Sequence, residues 1–329
     1  VYDNVEIASI TASTFAASKL VDVTVDDANA EPDNAAATNL ASGAEGTIAD
    51  TDYETAIAEA ATEGSGNFLF LDEYNATRAG YLKVHAAATQ DKMVLIAGPE
   101  VQDVSAAIVD VANYRDSDGR IIYAYPWLQT SIDGANEFVQ PAGFYASVLS
   151  QTSPHIDPAF VENTQYLAGV TKLKLSLSRA DYIQLKDAGI SAFELDSDVG
   201  FKIKSGIVTQ IVNSSKVTVL RRRMADFLTT SGGRFLKSFQ NAVNSKENRL
   251  DAGAQLLSFV ETLERDKILP KDSEVNGGLA KIIDPESLNS DSTIGQGFFK
   301  ILWRQRIYSS MRYIVLQAEI GETVVVTEE

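Results

Sequence analysis

The chain has 329 residues, 45% of them hydrophobic and 22% charged, a globular composition with room for two domains. It has no cysteine, which removes disulfides, thiolate catalysis and cysteine metal sites, and its two histidines, His85 and His155, are too few for most histidine-rich metal sites. A net charge of −17 argues against direct nucleic-acid binding, and no apolar run reaches the length of a membrane span.

The charge is uneven. Residues 1–165 hold about 25 acidic and about 6 basic side chains, whereas residues 200–265 hold about 5 acidic and about 11 basic ones. This is either ordinary solvated surface or a pair of unlike surfaces that meet between copies or on a partner.

In chain order, residues 1–23 alternate as strands do (Val5, Ile7, Ile10, Val21, Val23), and 26–50 read as a loop rich in Asp, Ala, Asn, Gly and Ser. Thr51 and Glu54 have the spacing of a capping box, and the helix they open is expected to stop at Gly64. Asn67–Leu71, Lys92–Ala97 and Arg120–Tyr125 are short apolar strands. Between them Ala76–Thr89 and Asp103–Tyr114 are helical, the latter with Val104, Ile108 and Val111 on one face. Pro141 suits the first turn of a helix running to about Gln151. Nearly all-apolar strands alternating with helices predict a parallel sheet covered on both faces.

Pro154 and Pro158 mark a crossing between domains at 151–168. Beyond it Leu173, Leu175 and Leu177 alternate with polar residues, Ser178 caps a short helix ending at Gly189, and Ser191–Leu195 and Phe201–Ile211 read as antiparallel strands. Three helical rows follow: Val217, Leu220, Met224 and Phe227; Phe235, Phe239 and Val243; and Leu250, Ala254, Leu257, Val260 and Leu263. Residues 270–297 read as a loop, and Phe298–Leu316 and Thr323–Thr327 as closing strands, making an α+β second unit.

Candidate chemistry is sparse. A Ser-His-Asp system needs a histidine beside a serine. Yet His85 falls in an Ala-rich helix, where a surface place is expected, and His155 in a proline-rich turn. Asp116-Ser117-Asp118-Gly119 begins like a calcium loop but lacks the later ligands, which leaves a turn. Ser42–Gly46, Gly64–Gly66 and Ser231–Gly233 lack the Lys-Ser/Thr ending of a phosphate loop and read as turns. Tyr123, Tyr125 and Trp127 could make a sugar platform or pack at a strand end. Arg221, Arg222 and Arg223 on an amphipathic helix are the candidate interface, either a solvated helix face or a docking surface for an acidic partner. No catalytic, cofactor or metal residue is assigned.

The order of several segments carries a resemblance. Ala41-Ser42-Gly43-Ala44-Glu45-Gly46 followed by Asp52-Tyr53 resembles a Gly-rich loop ahead of a first helix. Ala124-Tyr125-Pro126-Trp127 resembles a Tyr-Pro-Trp strand end. Gln140-Pro141-Ala142-Gly143-Phe144-Tyr145-Ala146 is similar to a Pro-Pro-Ser-Gly-x-x-Ala helix start, with Gln140 and Ala142 in place of the usual Pro and Ser. Asp187-Ala188-Gly189-Ile190 resembles an Asn-Asp-Ala-Gly segment, with Lys186 where Asn is usual. Val219-Leu220-Arg221-Arg222-Arg223 and Phe259–Leu269 complete the series. In this order the segments resemble, over residues 40–325, the contractile tail sheath proteins of tailed phages, a family that includes R-type pyocin and type VI secretion sheaths.

The resemblance implies the end of an upstream β region at 1–40, a subtilisin-like α/β layer domain at 41–165 and an α+β sheath C-terminal domain at 166–329. It implies a core portion lacking at least an N-terminal arm. It further implies a structural, non-enzymatic virion subunit, assembled in the host cytoplasm. Such a subunit stacks helically in hexameric rings around a tail tube and contracts to drive the tube through the host envelope. The implied partners are other sheath subunits, the tail tube protein, and baseplate and tail terminator proteins, with no direct nucleic acid, no membrane insertion and no cofactor. The readings set against this are a hydrolase on the same α/β layer, which needs a histidine-anchored site, and a carbohydrate-binding virion protein, which needs an exposed aromatic platform.

Overall fold

A computed structural model describes residues 48–62, 68–71, 73–89, 92–132, 134–160, 167–210, 217–275 and 279–310. The strands expected in 1–23 and at 323–327, the loop before residue 48 and the helix stop at Gly64 lie outside the described residues. In chain order the elements are α1 (Asp50–Glu59), β1 (Phe68–Phe70), α2 (Ala76–Ala88), β2 (Met93–Ala97), α3 (Val104–Val111), β3 (Ile121–Tyr125), β4 (Leu128–Ile132), β5 (Ala135–Val139), α4 (Ala142–Gln151), β6 (Val170–Leu173), α5 (Arg179–Asp187), β7 (Ile190–Asp196), β8 (Gly200–Ile203), α6 (Val219–Leu236), α7 (Lys246–Arg265), β9 (Lys281–Asp284), α8 (Asp291–Gly295) and β10 (Leu302–Gln305).

The central sheet has the order β1-β2-β3-β7-β8. Its first four strands are parallel, and β8 turns back antiparallel on β7. β2 and β3 are buried throughout because helices cover both faces, as the all-apolar strands predicted. Val94, Ile96, Ile121, Tyr123, Ile190 and Ala192 point to the side of α2, α3 and α5. Met93, Leu95, Ile122, Ala124 and Phe193 point to the side of α4. α2, α3 and α5, which precede β2, β3 and β7, share one face because right-handed crossovers in one direction put them there.

The sheet continues past residue 165. β7 pairs in parallel with β3, Tyr123 opposite Ile190 and Tyr125 opposite Ala192, so the strands after the proline-rich crossing return to the first sheet. Two short antiparallel sheets stand beside it, β5-β4-β6 and β10-β9. The hairpin β4–β5 is absent from the sequence reading. Of its described residues only Leu128 is buried, so no apolar alternation announces it; its one signal is Gly134, at φ +84° between the two strands. β9 likewise sits where a loop is expected.

Local chemistry sets the helix ends. α1 is capped two residues earlier than expected: the Ala49 N–H donates to Asp52 Oδ2 at 2.8 Å, and Thr51 and Glu54 are exposed. α5 follows the sequence closely. Ser178 Oγ accepts from the Asp181 N–H, the Asp181 carboxylate accepts in turn from the Ser178 N–H, and Gly189 ends the segment at φ +85°. A Cβ on Gly189 would lie 3.0 Å from the Thr209 carbonyl oxygen. Gly189→Ala is therefore expected to cost about 2 kcal/mol, from left-handed backbone plus contact, read as a shift in the urea midpoint.

Four tyrosines, Tyr114, Tyr123, Tyr125 and Tyr145, are buried in the two cores. Burial raises all four, and Tyr125 and the half-buried Tyr182 are pushed up to about 12. An unfolded tyrosine ionises near 10, so its proton leaves the unfolded chain first. The stability contributed by neutral Tyr125 and Tyr182 is whole below pH 10 and is lost as pH rises to about 12. In an alkaline titration the tyrosinate absorbance of the buried rings should appear together with loss of the circular dichroism signal. Appearance of all tyrosinate near pH 10 with the fold intact would contradict this.

Candidate interface site

The arginine triplet opens α6. Thr218 Oγ1 accepts from the Arg221 N–H as N-cap, and Leu220, Met224 and Leu228 form a buried row at spacing four. That row meets Val260 and Leu263 of α7, with Phe227 and Phe235 stacked on Phe259 at ring-centre distances of 6.4 and 4.7 Å. α6 runs unbroken through Ser231-Gly232-Gly233, which the sequence reads as a turn. The reason is packing. A Cβ at Gly232 would lie 2.8 Å from Trp303 of β10, so glycine lets β10 close on the helix. This offsets its poor helix propensity, about 1 kcal/mol.

The three guanidinium groups have different surroundings. Arg221 bonds the hydroxyl of Ser309 and has no carboxylate partner among the described residues. Arg222 pairs with Asp226 one turn on, and Asp226 is gripped on its other side by Arg120, with bonds of 3.0 and 3.2 Å to its two oxygens. Arg120 leads into β3 and is 4% exposed in its side chain, so this bidentate pair joins α6 to the central sheet out of water.

Arg223 turns the other way. Its Nη2 donates to the carbonyls of Leu149 at 2.8 Å and Thr152 at 2.6 Å. These carbonyls lie at the C-terminal end of α4, where the helix dipole is negative. Its guanidinium also sits 5.6 Å from the Phe68 ring. Burial pulls Arg223 down to about 10, which leaves it charged at neutral pH. The triplet is thus largely a joint: Arg222 and Arg223 fasten α6 to the sheet and to α4, and Arg221 faces the segment at Ser309. Sequence reasoning missed Arg120 and Asp226. The signal for Asp226 was its place four residues after Arg222.

The other candidate residues fall into place. His85 is 4% exposed, on the core face of α2 with Ala79, Leu82 and Ala86, and not on the surface as expected; the small alanines bring this face close to the sheet. His155 lies in a turn, its pKa lowered by burial and then by Arg223. Asp116 accepts from the backbone N–H groups of Asp118 at 3.0 Å and Arg120 at 2.7 Å, the turn expected from Asp-Gly. Tyr123 and Tyr125 are core residues whose hydroxyls donate to Asp110 at 2.6 Å and to the Gln102 carbonyl at 2.8 Å, while Trp127 Nε1 donates to the Gly98 carbonyl at 2.8 Å. They pack at the strand end.

No family model matches the chain, and no curated protein matches it by sequence. Solved structures do. The PVC sheath complex of an extracellular contractile injection system, in its contracted state, matches with TM-score 0.67 and 17% identity, over 84% of this chain and 75% of that one. The helical sheath of the anti-feeding prophage, contracted, matches with TM-score 0.66 and 16% identity, over 84% and 76%. A sheath tail protein from Listeria innocua matches with TM-score 0.57 and 10% identity, over 82% and 62%. The chain has, over most of its length, the fold of contractile sheath proteins.

Proposed function

We propose that this chain is a structural subunit of a contractile sheath, in a phage tail or an extracellular injection system. The observation that carries the reading is the match over 84% of the chain to contracted sheath assemblies. In this reading hexameric rings of subunits stack helically around a tail tube, with baseplate and terminator proteins at the ends, and contraction drives the tube through an envelope. The subtilisin-like character of the parallel layer belongs to the same proposal. So does a division in which that layer takes in β7 and β8, while α6, α7 and the β9–β10 pair form the second part.

The joint around Asp226 supports the reading. A sheath subunit changes its neighbours while keeping its own shape, as in rigid-body switching of interfaces. Arg120, Arg222 and Arg223 tie α6 to the sheet and to α4, which suits a part that moves as a block. Arg221 is the member of the triplet that holds neither the sheet nor α4. Arg221→Glu should leave monomer melting within about 0.5 kcal/mol of the parent and reduce assembly at low salt, where screening is weakest.

Electron microscopy of the full-length protein, alone and with tube protein, tests the proposal. Hollow striated cylinders are the expected result. Particles that stay dispersed at high concentration in both conditions would overturn it.

A further inference from the structure

We propose that the groove along α6 is a docking site for an acidic segment of a second copy of this chain. The inference rests on the sheath reading and adds to it a place where two copies meet. Arg223, Phe227, Ser231 and Arg234 follow one another at spacings of four, four and three, so they share one face of α6. With Phe68 and Met93 they line an open groove. Its two ends are cationic and lie 11 residues apart on the helix, about 16 Å.

Neither end has a carboxylate partner among the described residues. Arg223 commits Nη2 to two carbonyls, while its Nη1 is buried with no hydrogen-bond partner among the described residues. Arg234 is exposed and has no ion-pair partner among the described residues. Asp226, also in the groove wall, is already held by Arg120 and Arg222 and is not available to either. A buried guanidinium with a spare N–H and only neutral acceptors is incompletely satisfied, and a carboxylate would complete its fork. Between the two cations Phe68, Met93 and Phe227 give the groove an apolar strip, bordered by the hydroxyls of Thr230 and Ser231.

The matching ligand has two carboxylates with apolar side chains between them. In an extended segment about 16 Å corresponds to acids about five residues apart. A small free anion would satisfy one end and leave the apolar middle bare. The chain itself is a rich source of such segments, with about 25 acidic against about 6 basic residues in 1–165. A groove on one copy filled by an acidic surface of the next is a head-to-tail contact, the kind that propagates a helical array.

The test uses Arg234, because Arg223 also ties down α4. Arg234→Glu should leave the melting temperature unchanged and weaken self-association of the full-length protein at low salt by about tenfold or more in sedimentation. To locate the contact, nitrogen-14 and nitrogen-15 copies of the Arg234→Lys variant are mixed and treated with a carbodiimide, which couples amines to carboxylates in contact. Mixed-label peptides joining position 234 to Asp or Glu residues of 1–165 are expected. Three results would overturn the proposal: unchanged association of Arg234→Glu, same-label products only at position 234, or a parent chain that does not self-associate. If Arg234→Glu and the parent form striated tubes equally well, the groove fails and the sheath reading stands. If mixed-label products form and tubes never do, the groove stands and the sheath reading fails.

Discussion

Asp226→Ala should lower the unfolding free energy by about 3 kcal/mol, toward the range for breaking a buried ion pair by removing one partner. Asp226 is 13% exposed in its side chain, and it neutralises both Arg120 and Arg222. Alanine removes from Arg120, 4% exposed, both of its bonds to Asp226. Asp226→Asn keeps an acceptor and loses the charge, and about half the cost is expected, since hydrogen bonds to a charged group contribute about 1.5–3 kcal/mol. Asp251→Ala on the exposed side of α7 serves as the control and should stay within about 0.5 kcal/mol. Urea denaturation of the three variants decides. A loss below 1 kcal/mol for Asp226→Ala would mean that water screens the joint, and the rigid-block argument would lose its support.

Phe193→Ala should cost about 4 kcal/mol, and the melting temperature should fall by roughly 10 °C. Phe193 is fully buried in the middle of β7, edge-on to Tyr145 of α4 with ring centres 5.9 Å apart and planes at 81°. Truncation opens a cavity between the sheet and α4 that neither side can close, because Tyr145 is held by the Ser191 hydroxyl at 2.9 Å. Leu195 lies two residues further along the same strand but is 63% exposed, so Leu195→Ala should cost less than about 0.5 kcal/mol. Equal losses at the two positions would show that strand propensity, not packing against α4, sets the cost.

What could be read from the sequence followed from how much each residue's own chemistry decides. β2 and β3 were legible because a strand buried on both faces must be apolar throughout, and Met93–Ala97 and Ile121–Tyr125 are. α5 was legible because Ser178 and Gly189 are strong end signals. β4 and β5 were not, since a hairpin with mostly half-buried and exposed residues needs no pattern. Ser231–Gly233 misled because glycine that admits a tryptophan ring looks like glycine that ends a helix. In the arginine triplet the sequence gives charge but not direction. Whether the polar face of α6 meets water, a partner or the same chain depends on Arg120 and Leu149, about 100 and 70 residues away, and no local pattern carries that.

The pairing of β3 with β7 has a further consequence for how the polypeptide can be divided and how it reaches its native state. The two strands are adjacent in space but separated by the whole of β4, β5, α4, β6 and α5. Closing so long a loop before its contacts reward it slows folding. A truncation after residue 165 would leave Ile121–Tyr125, buried on both faces, with one row of backbone N–H and C=O groups bare. Such an edge pairs readily with another chain, so the shortened protein should precipitate or form β-rich aggregates on expression. Extending the piece through Ile203 would give β3 back its β7 partner, with β8 in turn on β7.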